Sequence, residues 1–241
     1  MLAVIRLILM SFAFIFVCFS SCFYCLLRPF HRNNVHHTAR YLGKVSKIFG
    51  FDVEVRIPES LKNIGPVVYI ANHQNNYDLF TMSNAVQPST VSVGKKSLKW
   101  IPLFGQMYWL TGNILIDRKN TSRAMDTISL TAKKIVESKL SIWIFPEGTR
   151  SRGKGLLPFK TGAFRTAAKA NVPIVPICGS SQDKTIDISR WDNGKIIIEF
   201  LEPMYVKDNS RNSIRLLTDE AYQLMEEKIK QLNHEVASIK N

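Results

Sequence analysis

The chain has 241 residues, 46% of them hydrophobic and 21% charged. That is enough for one domain with a full apolar core plus a small appendage, and it excludes a disordered or low-complexity chain. Lysine and arginine number 32 against 19 aspartates and glutamates, a formal charge of +13, so a negative partner is expected: nucleic acid, an anionic membrane surface or an acidic substrate.

The N-terminus separates these partners. Leu7 to Leu27 reads LILMSFAFIFVCFSSCFYCLL, without a charge. As a helix it would be roughly 30 Å long, the thickness of the hydrocarbon layer. A cleaved signal peptide would need a shorter apolar core, and here apolar sequence continues beyond Ser20-Ser21-Cys22 to Leu27. It predicts a membrane anchor that spans or inserts deeply. A helix lying in one leaflet is the alternative, because serine and cysteine dilute its second half. Only Arg6 precedes the run, whereas Arg28, Arg32, Arg40, Lys44 and Lys47 follow it. The positive-inside rule then puts the remainder in the cytoplasm, with its basic surface against anionic lipid headgroups. Three of the four cysteines (Cys18, Cys22, Cys25) lie in the anchor and Cys178 stands alone, which excludes a disulfide framework or a paired zinc site.

Residues 28–50 are expected to form a basic amphipathic helix, with Val35, Ala39, Leu42 and Phe49 on its apolar side and Gly50 ending it. Residues 51–241 then read as one domain. Strands are predicted at 51–57, 67–71, 90–93, 114–116, 141–145, 172–177 and 195–201. Helices are predicted at 121–139, at 161–170 and from about 213 to the end. Alternation of this kind gives an α/β fold, a single mostly parallel sheet covered by helices.

Polar clusters follow three of the strands. Asn72-His73-Gln74-Asn75-Asn76-Tyr77-Asp78 comes directly after the apolar run 67–71. Six polar residues or more at a strand end are a ligand site rather than a packing solution. His73 and Asp78 are spaced to meet across a turn, where the carboxylate would fix the imidazole tautomer and leave the other ring nitrogen free to take a proton. The second cluster is Asp117-Arg118-Lys119 after 114–116, and the arginine fork suits phosphate. The third is Phe145-Pro146-Glu147-Gly148-Thr149-Arg150-Ser151-Arg152, a loop that can approach a phosphate-bearing ligand closely. No Walker A loop and no GxSxG elbow is present. No second ligand cluster accompanies His73, so a metal site is not expected. Cys178 reads as core. A base without a protein nucleophile points to deprotonation of a substrate hydroxyl, which then attacks an activated acyl compound such as a thioester.

NHQNNYD (72–78), GNILIDR (112–118), FPEGTRS (145–151) and VPIVPI (172–177) resemble, in order and spacing, the four blocks of the glycerolipid acyltransferases. The bacterial 1-acyl-sn-glycerol-3-phosphate acyltransferases are the nearest in pattern, over nearly all of 60–205. The resemblance implies transfer of an acyl chain from acyl carrier protein or coenzyme A to the sn-2 hydroxyl of lysophosphatidate, at the bacterial inner membrane and without a cofactor. It further implies that His73 is the base and Asp78 its orienter, that Arg118 binds acceptor phosphate, and that Glu147 and Gly148 contribute to acceptor binding. Thr149, Arg150 and Lys96 stand beside them as further acceptor candidates. Another lysolipid or glycerol 3-phosphate is the alternative acceptor. A membrane-tethered nucleic-acid-binding protein is disfavoured, since no helix-turn-helix or interleaved basic and aromatic pattern is present.

Overall fold

The computed structural model describes residues 1–116, 122–182 and 186–239. Seven strands form one sheet: β1 (Phe51–Arg56), β2 (Val68–Ala71), β3 (Thr90–Lys95), β4 (Ile114–Ile116), β5 (Ser141–Ile144), β6 (Ile174–Gly179) and β7 (Gly194–Phe200). Their order is β1-β7-β6-β2-β5-β3-β4. The β6–β7 pair is antiparallel and the other paired neighbours are parallel. The helices are α1 (Leu2–Leu27), α2 (Asn34–Val45), α3 (Asp78–Thr81), α4 (Phe104–Leu110), α5 (Ser122–Ser138), α6 (Gly162–Ala170) and α7 (Arg211–Ile239).

β2 and β5 are interior strands, and both their faces are covered. This is why their sequences are continuously apolar rather than alternating. Val68, Ile70, Ile142 and Ile174 belong to the core shared with Phe164 of α6 and with Ala221 and Met225 of α7. Their neighbours Tyr69, Ala71, Trp143 and Val175 belong to the opposite core, with Leu42 of α2, Phe80 of α3 and Val17 of α1.

The expected helix over 28–50 begins later, at Asn34, because Pro29 and the left-handed Phe30 (φ 57°) form a bend first. It passes into a 3-10 turn over Ser46–Phe49 before Gly50. At Gly50 φ is +75°, and a Cβ would lie 2.3 Å from the Trp191 carbonyl oxygen, so this close approach admits only glycine.

The first helix is part of the fold. It starts at Leu2 and carries Arg6 within it. The Arg6 guanidinium is buried and donates to the carbonyl oxygens of Ile188, Arg190 and Trp191. Met10, Ala13, Phe14 and Val17 pack on the core beneath α2 and α3. Of these Val17 is buried and the other three partly so; full burial of a valine contributes roughly 1.5–3 kcal/mol, so the helix adds to a domain stability that is typically only ~5–15 kcal/mol. The other side of α1 is bare: Ile8, Phe12, Phe16, Phe19, Phe23 and Leu27 are each at least 62% exposed and recur at helical spacing. Phe30, Trp100, Ile101, Leu103 and Trp109 are exposed as well, and Phe30 meets Trp109 edge-on at 5.0 Å between centroids. The segment 100–109, too apolar for an ordinary loop, is therefore mostly surface beside α1, with Gly105 and Met107 buried.

Candidate active site

β2 stops at Ala71 because the chain turns, and the next residues replace its ladder with side chains. Asn72 Nδ2 donates to the Gly179 carbonyl at 2.9 Å, and Gly179 N–H donates to Asn72 Oδ1 at 2.8 Å. Gln74 repeats this one step on: its Nε2 donates to Ser180 O at 2.8 Å and its Oε1 accepts from Gln182 N–H at 2.8 Å. Two amide side chains thus fasten the loop to the end of β6 and leave His73 between them.

Asp78, at the start of α3, is the hub of the loop. Its Oδ2 accepts from the Gln74 N–H at 2.6 Å and the Asn75 N–H at 3.1 Å, and lies 2.7 Å from His73 Nδ1. Its Oδ1 accepts from Gln182 Nε2 at 3.1 Å. An acceptor on Nδ1 puts the Nδ1 proton toward Asp78 and leaves Nε2 with its lone pair free. The side chain of Asp78 is 2% exposed and that of His73 is 19% exposed, so the pair is shielded while the imidazole can be reached.

The loop after β5 grips the same segment from the other side. The Phe145 ring stacks on His73, centroids 4.0 Å apart and planes 15° from parallel. Ser151 N–H donates to His73 O at 2.8 Å, and Arg152 N–H donates to Gln74 O at 2.9 Å. Glu147 is buried. Its Oε1 accepts from His73 N–H at 2.6 Å and its Oε2 from Leu157 N–H at 3.0 Å. Burial pushes this carboxyl up to about 7, opposed by the two backbone hydrogen bonds. Both oxygens are thus engaged with main chain, and Glu147 holds the base rather than presenting itself to the open side.

His73 opens onto a cavity of about 900 Å³, at the large end of small-molecule pockets. Its walls include Phe14 of α1, Leu42 of α2 and Met82, Trp143 and Met107, and its rim includes Gly148, Thr149 and Arg150. Polar residues also line it, among them a linked group: Ser92 Oγ lies 2.6 Å from Tyr108 Oη and 2.8 Å from Asn113 Oδ1. A methyl group on Gly94 would fall 2.5 Å from Tyr108 Oη, so the hydroxyl occupies space that glycine leaves.

His73, Asp78, Gly148, Thr149 and Arg150 line this cavity, while Glu147 lies behind His73 on its main-chain side. Arg118, with Asp117, lies outside the described residues. Lys96 is exposed on the 3-10 turn after β3, and it is Lys95 that lines the cavity. Lys160 is one of the cations that follow the third cluster in the sequence, and the structure brings it to the site. Its Nζ would lie 2.8 Å from a Cβ on Gly148, where φ is +73°, so the ammonium sits over the loop that carries Glu147. The Lys160 N–H donates to Pro146 O at 2.9 Å. Its place over Gly148 follows from the return of the chain at 155–160 and is not readable from the loop's composition.

A carboxylate-oriented imidazole at a strand end, open to a largely apolar cavity with cations among its lining residues, suits acyl transfer, and the chain belongs to the acyltransferase family, whose model matches residues 52–180. The chain is 48% identical to the 1-acyl-sn-glycerol-3-phosphate acyltransferase of Haemophilus influenzae, covering 98% of this chain and 99% of that protein. It is also 48% identical to the Escherichia coli K12 protein of that name, covering 98% and 97%. With human 1-acyl-sn-glycerol-3-phosphate acyltransferase alpha it shares 34% over 81% of this chain and 70% of the human one. In fold it is similar to the crystal structure of a Thermotoga maritima 1-acyl-sn-glycerophosphate acyltransferase, with a TM-score of 0.70, 22% identity and coverage of 95% and 97%.

Proposed function

We propose that this chain transfers an acyl group from a thioester, acyl carrier protein or coenzyme A, to the sn-2 hydroxyl of 1-acyl-sn-glycerol 3-phosphate, forming phosphatidate. The observation that carries the reading is the 2.7 Å contact of His73 Nδ1 with Asp78 at the mouth of the apolar cavity. His73 Nε2 takes the hydroxyl proton as the oxygen attacks the thioester carbonyl. The new acyl–oxygen bond forms, the acyl–sulfur bond breaks, and the proton passes from His73 to the departing thiolate. Asp78 holds the tautomer and stabilises the imidazolium between these steps. Asp78 and Glu147 position the base. Gly148, Thr149 and Arg150, with Lys95 or Lys96, Lys160 and Arg118, form the acceptor side.

The acceptor assignment is tested with purified full-length protein and a panel of lysophosphatidate, lysophosphatidylcholine and glycerol 3-phosphate. Lysophosphatidate is expected to lead by at least about tenfold in kcat/KM, the effect of ~1.4 kcal/mol. A preference for either other acceptor overturns the assignment. Arg118→Ala is expected to raise KM for lysophosphatidate far more than KM for the thioester, and Arg118→Lys to restore only part of the loss, since lysine keeps the charge without the fork. Equal effects on both substrates would remove Arg118 from the acceptor side.

The same reading places the catalytic domain, 51–241, on the cytoplasmic face of the inner membrane, with 28–50 as its basic collar. α1, the proposed anchor 1–27, is fixed to the domain by Arg6 near one end and packs beside α4. A helix so fastened lies lengthwise in one leaflet with its bare side toward the acyl chains, rather than crossing the bilayer. Phe12→Asp with Phe19→Asp changes only that bare side. The pair is expected to release the protein from vesicles in a flotation assay, and retention equal to wild type would contradict the embedding.

A further inference from the structure

Where α1 ends, Arg28 caps the helix, the chain bends at Pro29 and Phe30, and α2 begins at Asn34. Asn34, fully buried, locks the bend by donating from Nδ2 to Arg28 O at 2.9 Å. The Arg28 guanidinium lies over the Tyr24 ring at 4.4 Å. Its Nε and Nη2 are buried and have no hydrogen-bond partner among the described residues. Such donors each cost free energy comparable to a lost hydrogen bond, and more for a charged group. Beside them Tyr24 meets His37, centroids 5.9 Å apart, and His37 meets His36 at 5.9 Å. His36 Nδ1 is already engaged with Val86 O at 2.7 Å. The charges that bear on His37 are Arg28, His36, Arg40 and His31, and together with burial they hold its pKa down. Every one is basic. A guanidinium fork among basic neighbours, with two N–H groups unclaimed, lacks an anion with oxygens to accept them.

The surroundings select the anion. Phe23, Leu26, Leu27 and Phe30 are exposed around the bend. They belong to the bare apolar side that faces the acyl chains if α1 lies in one leaflet, and that embedding is the reading on which this step rests. A soluble anion would leave those side chains in water. We propose that the bend between α1 and α2 is a binding site for one anionic membrane phospholipid, its phosphate accepting from Arg28 and its acyl chains lying along Leu26, Leu27 and Phe30, separate from the catalytic cavity. This site registers the protein at headgroup depth, where the catalytic cavity can receive a lipid acceptor.

Full-length protein in detergent, titrated with phosphatidylglycerol and observed by native mass spectrometry, tests the proposal. Wild type is expected to retain one phosphatidylglycerol. Arg28→Gln should bind it about fivefold more weakly, the effect of one basic residue at an anionic surface, while Lys47→Gln, an equal charge change away from the bend, should bind it as wild type does. Inorganic phosphate should fail to displace it, which separates a lipid headgroup from a free phosphate. Arg28→Lys keeps the charge and loses the fork, and severalfold weakening is expected there also. Wild-type retention by both Arg28 variants, equal weakening by Lys47→Gln, or displacement by inorganic phosphate overturns the site. If α1 is not embedded at all, wild-type protein fails to float with phosphatidylglycerol vesicles, which identifies failure of the embedding rather than of the site.

Discussion

His73→Ala is expected to lower kcat by ~10²–10⁴-fold, the usual loss on removing a general base, while the affinity for lysophosphatidate stays close to wild type. The imidazole touches Asp78 on one side and the Phe145 ring on its face, and its remaining nitrogen is the one the reaction needs. Asp78→Asn should lose most of the activity as well. An amide in place of the carboxylate can turn a donor toward Nδ1 and stabilise the wrong tautomer. Asp78 also accepts from two backbone N–H groups and from Gln182, so the asparagine variant should in addition melt at a lower temperature. Steady-state kinetics and equilibrium binding of the acceptor separate the two effects. Retention of more than about a tenth of wild-type kcat by His73→Ala would be incompatible with general-base catalysis by this residue.

The second large effect is expected at Glu147, although it faces away from the reacting atoms. Its two oxygens accept the His73 and Leu157 N–H groups, tying the loop that carries the base to the loop that closes the cavity rim. In Glu147→Gln one of these N–H groups meets the amide NH2 instead of an acceptor. An unsatisfied buried donor costs ~1–3 kcal/mol, and a displacement of the base by about 1 Å can cost ~10²-fold in rate. The expected result is a fall in kcat of ~10–100-fold with KM for lysophosphatidate nearly unchanged and a lower melting temperature. A variant with normal kcat and raised acceptor KM would instead make Glu147 a direct contact of the acceptor. The measurement therefore decides between positioning and the acceptor contact that family resemblance implies.

The motifs were legible because each block is local. Strand 67–71 and its polar continuation could be read from residue types alone, since a strand buried on both faces is continuously apolar and a ligand loop is not. The expected strand at 141–145 is one residue shorter in the structure, ending at Ile144, which frees Phe145 to stack on His73. That role could not be read beforehand, because an aromatic residue at the end of an apolar strand reads as one more core position. The position of Lys160 over Gly148, and Gln182 under Asp78, were hidden for a different reason. They meet the site from 87 and 104 residues away from His73 and Asp78 respectively, and single-sequence periodicity carries no information at that range. The first helix was partly legible. Its length and hydropathy announced the membrane, but the same composition describes a helix that spans and one that is packed along a domain. The decisive residue was Arg6, read as a flanking charge and found bonded to the carbonyls of Ile188, Arg190 and Trp191.

Direct transfer from thioester to hydroxyl, with His73 as base and no acyl group held on the protein, is tested most directly by rapid-quench single turnover. Full-length protein in excess is mixed with labelled acyl-coenzyme A, with and without 1-acyl-sn-glycerol 3-phosphate, and free thiol, protein-bound label and phosphatidate are followed together. Thiol and phosphatidate are predicted to appear at one rate and only when the acceptor is present, with no label on the protein, and both are predicted to be lost in His73→Ala. A burst of thiol without acceptor, or label bound covalently to the chain, would contradict direct transfer.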